Sequence, residues 1–179
     1  MPGPKGVHSL QLWLNLPAAQ KMSKARYLDQ HAADAPVASG PGYEIRVYAG
    51  RQGGAEQPAG SSYPMSLCMV RLEPGATCQL EIGPDERGFL YALEGAAAVG
   101  EDAARLQAGQ VAWFDPEGDA PGEADRLKLT AGDAPFRAAL FSGRPIPEPV
   151  VAYGPFVMNT QDEIRQAFAD YHSGAFAEG

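Results

Sequence analysis

The side chains able to act as metal ligands, nucleophiles or general bases are few in this sequence and do not form a familiar spacing. The three histidines, His8, His31 and His172, are at least 23 residues apart, so none belongs to an HxH or HxxxH pair. No G-x-S-x-G sequence places a serine on a strand-to-helix turn as a nucleophile. Cys68 and Cys78 lie in strand-like segments with no His or Lys beside them to lower a thiol pKa. We therefore predict no catalytic residue in this chain and two buried, inert thiols.

One segment has a spacing that resembles the metal-binding barrels of the cupin family. Its frame runs through Gly75, Glu81, Gly83, Gly88 and Gly95. Cupins normally carry two histidines and a glutamate at the three middle positions, where two imidazoles on alternate strand residues meet a carboxylate from the next strand. Here the glycine ends are present, but two of the three ligand positions have no side chain.

The remaining ligand of such a frame is a histidine after a Gly- and Pro-rich turn. Counted from Gly109 through the segment DPEG (115–118), that position falls near Pro121. At best Glu81 remains as a single carboxylate, and one such ligand holds a divalent ion weakly. Asp85 and Glu86 lie in a predicted turn, where we expect both to be solvated. The prediction is that Glu81, Gly83, Gly88 and Pro121 are degenerate positions and that the chain binds no metal of its own.

The elements that would position these residues are mostly strands. Apolar and polar residues alternate in short runs separated by turn-forming segments, and Gly (21) and Pro (16) are abundant. This pattern predicts an all-β fold, a jelly-roll-like antiparallel β-barrel. The predicted strands are Val7–Leu16, Glu44–Ala49, Met65–Glu73, Thr77–Ile82, Gly88–Leu93, Ala96–Val99, Gln110–Phe114, Arg126–Thr130 and Phe136–Phe141.

One C-terminal α-helix is predicted beside the strands. Thr160 and Glu163 form a capping box, in which each side chain can bond a free backbone N–H of the other. An apolar stripe then follows at helical spacing, formed by Ile164, Ala167, Phe168 and Tyr171. Gly174 is well placed to end the helix.

The charge balance excludes several classes of protein. Lys and Arg number 14 against 22 Asp and Glu, a formal charge of −8, and no basic run is present. A nucleic-acid backbone needs a clustered positive field, so we expect no direct nucleic-acid binding. No apolar stretch reaches the roughly 18–20 residues of a membrane helix, and the N-terminus is unlike a signal peptide. We expect a cytoplasmic protein with reduced cysteines and no membrane contact.

The two ends of the sequence carry a resemblance to the pirin family. Residues 6–17, GVHSLQLWLNLP, strongly resemble the pirin segment HGLQLWVNLP, and residues 154–171 resemble the signature GPFVMNT..EI.QAF.DY. Residues 91–95 (YALEG) and 145–150 (PIPEPV) are also similar to pirin segments. The resemblance covers essentially the whole chain.

Pirins are bicupins, in which two β-barrels face each other in one chain and a single iron site lies in the N-terminal barrel. The resemblance implies that this chain is the C-terminal half of such a protein, without the metal-binding N-terminal cupin. Residues 1–17 then correspond to a strand at the end of the N-terminal barrel, 18–42 to a linker, 43–153 to the C-terminal cupin barrel, and 154–179 to the C-terminal helix and tail. It implies no cofactor in this chain, since the family's iron lies in the missing barrel.

Three functions are compatible with these observations. The first is a non-catalytic interaction or assembly module, as a homodimer or with a separately encoded N-terminal cupin, through Val7–Leu16. Four leucines share one face of that predicted strand, and burying them would contribute about 6–12 kcal/mol at roughly 1.5–3 kcal/mol each. The second is a subunit of a quercetin-dioxygenase-like iron enzyme whose metal barrel comes from a partner chain, since some pirins oxidise flavonols such as quercetin.

The third is a metal-free small-molecule binder that uses the barrel cavity. Its predicted lining consists of Met69, Cys78, Leu80, Phe89, Tyr91 and Trp113. Ordinary core packing is the alternative for all six.

Overall fold

A computed structural model describes residues 9–57, 63–114 and 125–177. The chain divides into two compact units, Arg26–Pro145, here called the barrel unit, and Met1–Ala25 with Ile146–Gly179, here called the terminal unit. In the described residues no helix combines the length and apolar character needed to cross a membrane.

The barrel unit consists of two antiparallel sheets. Their strands are β1 (Val37–Gly40), β2 (Tyr43–Gln52), β3 (Ala55–Gln57), β4 (Met65–Leu72), β5 (Thr77–Ile82), β6 (Arg87–Glu94), β7 (Ala96–Val99), β8 (Ala104–Gln107), β9 (Val111–Phe114), β10 (Asp125–Ala131) and β11 (Phe136–Gly143). The larger sheet has the strand order β1-β2-β4-β11-β6-β9, with β3 paired to β2, and the smaller has the order β5-β10-β7-β8. The predicted all-β antiparallel architecture is confirmed.

Alternation of buried and more exposed residues along strands such as β4 and β5 builds much of the core of the barrel unit. In β5, Cys78, Leu80 and Ile82 are buried while the residues between them are exposed. In β4, Cys68 and Val70 are buried in the same way. Buried residues from both sheets form one apolar cluster, so the inner faces of the two sheets pack against each other. Burial of each large aliphatic side chain in this cluster contributes about 1.5–3 kcal/mol.

Gln52 ties the two sheets together through its side-chain amide. It ends β2 in the larger sheet and is fully buried, and its Nε2 donates to the backbone oxygen of Glu81 in β5 at 2.6 Å. The Glu81 N–H donates back to Gln52 Oε1 at 2.8 Å. Both polar ends of the buried amide are therefore satisfied, which removes the cost of burying an unpaired polar group.

The boundaries of the barrel differ from the predicted ones at both ends. Residues 18–42, predicted as a linker, contain β1 and a short 3₁₀ helix at Ala18–Gln20. The first barrel strand therefore begins at Val37 and not at residue 43. Residues 151–153, predicted as part of the barrel, form β12 (Val151–Tyr153), which pairs with β13 (Phe156–Met158) in a separate hairpin.

The terminal unit contains that hairpin and the predicted helix, α1 (Gln161–Ser173). The capping box is confirmed: the Glu163 N–H donates to Thr160 Oγ1 at 3.2 Å, and the Thr160 N–H donates to Glu163 Oε2 at 2.8 Å. Gly174 ends the helix in the left-handed conformation, with φ of 82°. A 3₁₀ turn, Ala175–Ala177, follows.

The strand predicted over Val7–Leu16 is not formed in the described part of that range, residues 9–16. The first two residues of that range lie outside the described part of the chain, and residues 9–16 belong to no strand. The reason is that a strand exists only by hydrogen bonding to a neighbour, and no described segment pairs with this one. The alternating sequence is therefore present without a pairing partner among the described residues.

Candidate functional site

Glu81 is the one position of the cupin frame that keeps a possible ligand, and its side chain faces away from the barrel interior. It lies on the exposed face of β5, between the buried Leu80 and Ile82, and is paired in register with Arg126 of β10. Successive residues of a strand point to opposite faces, so the same alternation that buries Leu80 turns Glu81 outward. Glu81 contributes its backbone to the interior, through Gln52, and not its carboxylate.

Gly83 is covered by the side chain of Glu86. Glu86 Oε2 accepts hydrogen bonds from Ser142 Oγ at 2.8 Å and from the Gly83 N–H at 3.2 Å. A Cβ atom on Gly83 would lie 2.8 Å from Glu86 Cγ. The prediction that Glu86 is a solvated turn residue is therefore wrong, because tertiary partners half-bury its carboxylate. Asp85, beside it, pairs with Arg144 at 2.7 Å on the surface, as expected for a turn residue.

Gly88 is closed off more completely. It lies on β6 between Ser142 of β11 and Phe114 of β9. A Cβ atom at this position would lie 2.1 Å from the backbone oxygen of Phe141 and 2.8 Å from two carbons of the Phe114 ring. Any side chain here, a ligand included, requires these neighbours to move. Pro121, the remaining position of the frame, lies outside the described residues.

The two described histidines lie in different units, and neither belongs to a group of three potential metal ligands. His31 is exposed in the barrel unit, and His172 is exposed near the end of α1, where its ring lies 6.3 Å from that of Phe168. His8 lies outside the described residues. Within the ranges 9–57, 63–114 and 125–177, no three His, Cys, Asp or Glu side chains are grouped as a metal site would need.

Both cysteines are buried in the core, as predicted. Burial raises the pKa of the Cys68 thiol to about 12, and the neighbouring Cys78 adds to that shift. Burial likewise raises the pKa of Cys78 to about 12. Neither thiol is ionised near neutral pH, so neither has the character of a nucleophile.

The six residues predicted to line one barrel cavity lie on two different faces, so that prediction is wrong. Cys78 and Leu80 point into the core. The other four, Met69, Phe89, Tyr91 and Trp113, alternate with buried residues of β4, β6 and β9 and lie on the opposite face of the larger sheet. Prediction of strands alone does not say which of two faces looks inward when both are apolar.

That opposite face carries a row of aromatic rings. The Phe89 ring lies 4.7 Å from that of Phe141 and 4.9 Å from that of Trp113, measured between ring centroids. Register places the three residues side by side on neighbouring strands. Trp113, on a strand at the end of the sheet order, is 76% exposed.

In the terminal unit, the two end segments of the sequence meet. Glu148 Oε2 accepts from the Ala18 N–H at 2.7 Å and from Asn159 Nδ2 at 2.9 Å. This carboxylate lies 130 positions from Ala18, which immediately follows the first end motif, and it also binds Asn159, which lies within the second. No sequence pattern indicated this role for Glu148.

A shallow apolar groove lies on this unit, here called the end-motif groove. Its apolar lining includes Trp13, Leu14, Leu16, Met22, Phe156 and Phe176. At its rim, Lys21 Nζ donates to Asn15 Oδ1 at 2.6 Å. The buried apolar residues of the described terminal unit are Ile164 and Ala167, whereas many of its large apolar residues are exposed. Large exposed apolar patches on proteins are commonly interaction surfaces or ligand-binding grooves.

The comparisons with known proteins agree with this architecture. Residues 67–177 match the family described as the pirin C-terminal cupin domain. The chain is similar to pirin-like protein 2 of Arabidopsis thaliana, with 34% identity over 97% of this chain and 54% of that protein. A pirin-like protein of Solanum lycopersicum is 35% identical over 96% of this chain and 57% of its own length.

A solved structure with a similar fold is quercetin 2,3-dioxygenase from Acinetobacter baumannii. The TM-score is 0.79 and the identity 31%, over 92% of this chain and 55% of the other. The predicted cupin fold is confirmed by this likeness and by the family match. The chain spans a little over half the length of these relatives.

Proposed function

The chain belongs to the pirin family, and we propose that it acts as a non-catalytic cupin module that binds a protein partner through Val7–Leu16 and the end-motif groove. The proposal includes a cytoplasmic location, in keeping with two free cysteines. It has two parts, one about the barrel and one about the terminal unit, and each is supported by a different observation.

The closed position at Gly88 is the observation that carries the first part. A metal centre at the cupin frame needs side chains that converge inside the barrel. Gly88 has no room for a side chain beside Phe141 and Phe114. Glu81 points outward. The iron that the family uses therefore does not fit the described residues of this barrel, and we derive no chemical step through it.

The exposed surface of the terminal unit supports the second part. Leu10, Leu12 and Leu14 are 45%, 40% and 41% exposed, and Trp13 is 67% exposed. Burial of such side chains is worth about 1.5–3 kcal/mol each, which is ample driving force for association.

Metal analysis of the purified chain, together with an oxygen-uptake assay on quercetin, tests the non-catalytic part. We expect iron well below one atom per chain after incubation with Fe(II) and desalting, and no oxygen uptake above the buffer rate. A pirin that carries both barrels is the positive control. Stoichiometric iron held by this chain, or turnover of quercetin by the chain alone, would overturn the proposal.

A second candidate is a subunit of an iron dioxygenase whose metal barrel is supplied by another polypeptide. The likeness to a protein named quercetin 2,3-dioxygenase, of which this chain covers 55%, favours it. The two candidates differ in one measurement. Addition of a metal-loaded N-terminal pirin barrel would produce quercetin oxidation that depends on this chain in the second case. In the first case this chain would not change the rate of oxidation, whether or not the barrel binds.

A further inference from the structure

We propose that the partner of this chain is a second copy of itself, joined by antiparallel pairing of residues 9–16 about a two-fold axis that passes at Trp13. This rests on the proposed interaction role and adds to it the partner, the register and the symmetry. The observation behind it is the order of residues in a segment that has alternating strand character but belongs to no strand.

Residues 10–16, LQLWLNL, read almost the same in both directions. Around Trp13 at the centre, leucines stand one and three positions away on each side, and amide side chains stand two positions away. In an antiparallel pair centred on Trp13, the numbers of facing residues sum to 26. Each residue of one copy then faces one of the same chemistry in the other.

Such a pair has one face of leucine side chains and one face of tryptophan and amide side chains. Leu12 faces Leu14 of the second copy, and Leu10 faces Leu16, so eight leucines from the two chains line one face. Trp13 faces Trp13 of the second copy on the other face, flanked by Gln11 opposite Asn15. Directly opposed side chains are the pairs that stabilise a sheet, and apolar and amide pairs of this kind are favourable. A register shifted by one residue would put leucines opposite amides.

Charge does not oppose this arrangement. The chain carries a formal charge of −8, but residues 9–16 contain no ionisable side chain, so a two-fold axis at Trp13 brings no like charges together within the pair. The charge that follows the segment, Lys21, is engaged with Asn15 Oδ1. An isologous interface needs such self-complementarity, since the same patch serves both subunits.

The end-motif groove makes the contact larger than one strand. Trp13, Leu14 and Leu16 line this groove together with Met22, Phe156 and Phe176. The pairing surface is therefore continuous with further exposed apolar surface of the same unit. Paired backbone N–H and C=O groups supply affinity and the side chains supply register, as in other cases of strand addition.

Site-directed cross-linking tests the register. In a pair centred on Trp13, residue 13 faces itself, with Cα atoms about 4.5–5.5 Å apart, within the range that a disulfide spans. We expect Trp13→Cys to form a covalent dimer under mild oxidation. Leu10→Cys is the matched control: residue 10 of the two copies would be offset by six residues, roughly 20 Å along the strand, and should not cross-link. Cys68 and Cys78 are buried and should not interfere.

Sedimentation velocity over a wide range of concentration tests the dimer without cross-linking. We expect the wild-type chain to sediment as a species of twice the chain mass. The variant Trp13→Arg should raise the dimer dissociation constant at least about 30-fold, the equivalent of about 2 kcal/mol for a tryptophan buried at an interface. Trp13 is mostly exposed in the single chain, so the variant should keep the wild-type circular dichroism spectrum.

Several results would overturn the inference. These are a wild-type chain that stays monomeric at all concentrations, equal cross-linking of both cysteine variants, and preferential pairing with an N-terminal pirin barrel. Each leaves the iron and oxygen-uptake tests unaffected, so failure of the dimer and failure of the non-catalytic role are distinguishable.

Discussion

Gly88→Ala probes the closed metal position with the smallest possible side chain. The added Cβ would stand 2.1 Å from the carbonyl oxygen of Phe141 and 2.8 Å from the Phe114 ring. A tip of a flexible side chain could turn away from such a contact, but the Phe141 oxygen is backbone in β11, a central strand of the larger sheet. Relief therefore requires β6 and β11 to separate locally.

The cost follows from the packing of the interior. Overpacking of a filled core typically costs about 1–3 kcal/mol in stability. Because the Cβ would clash with the backbone of a neighbouring strand, we expect a cost at the upper end of this range. We expect a loss of about 3 kcal/mol in the free energy of unfolding. At about 2–4 °C per kcal/mol for a chain of this size, the melting temperature should fall by roughly 6–12 °C. Both quantities are measurable by urea and thermal denaturation followed by circular dichroism.

Gly132→Ala is the matched control. A Cβ on Gly132 would meet only the Ala96 oxygen, at 3.5 Å, an ordinary contact. We expect this variant to unfold within about 0.5 kcal/mol of wild type. If Gly88→Ala proved as stable as Gly132→Ala, the position would have room for a side chain, and the argument that the barrel is closed to a ligand would fail.

Three other predictions concern the buried polar groups and the helix cap. Gln52→Ala should cost about 2 kcal/mol in urea denaturation, since two hydrogen bonds to Glu81 at about 1 kcal/mol each are lost; an unchanged midpoint would contradict it. Cys68 and Cys78 should resist a disulfide reagent at pH 8 in the native protein and both react in guanidinium. Their folded pKa of about 12 exceeds the unfolded value of 9.0, so their stabilising contribution is complete below pH 9 and is lost between pH 9 and 12, a loss that variants without thiols should not show. Thr160→Ala should cost about 1 kcal/mol and speed hydrogen exchange in the first turn of α1, whereas exchange at the wild-type rate would show that the cap is dispensable.

Sequence periodicity predicted those elements whose signal lies within the element itself. β5 and β7 were predicted with their observed ends, because the alternating segment Thr77–Ile82 and the short apolar run Ala96–Val99 are each bounded by turn residues. The helix followed from its capping box. β3 and β8 were missed, since three or four residues such as Ala104–Gln107 are too short for a period to be recognised and exist through pairing with β2 and β7.

The residues of the candidate site also differ in whether their roles could be deduced from the sequence. The outward direction of Glu81 could have been deduced from the strand prediction, since Leu80 and Ile82 on the same strand must face the core. The roles of Glu86 and Gln52 could not, because their partners lie 56 and 29 residues away in sequence. Likewise, only the folded chain shows that Phe141 and Phe114 occupy the space beside Gly88.

The segment 9–16 shows the limit of local reasoning most clearly. Its alternation is as strong as that of β5, yet β5 is a strand and this segment is not, and the difference is the neighbour: β10 bonds along the whole of β5. A strand is thus a property of two segments, and an alternating segment without a neighbour has apolar side chains and backbone groups still to be paired. Association through this segment would satisfy both at once, and its near-palindromic order means that the second segment can have the same sequence as the first.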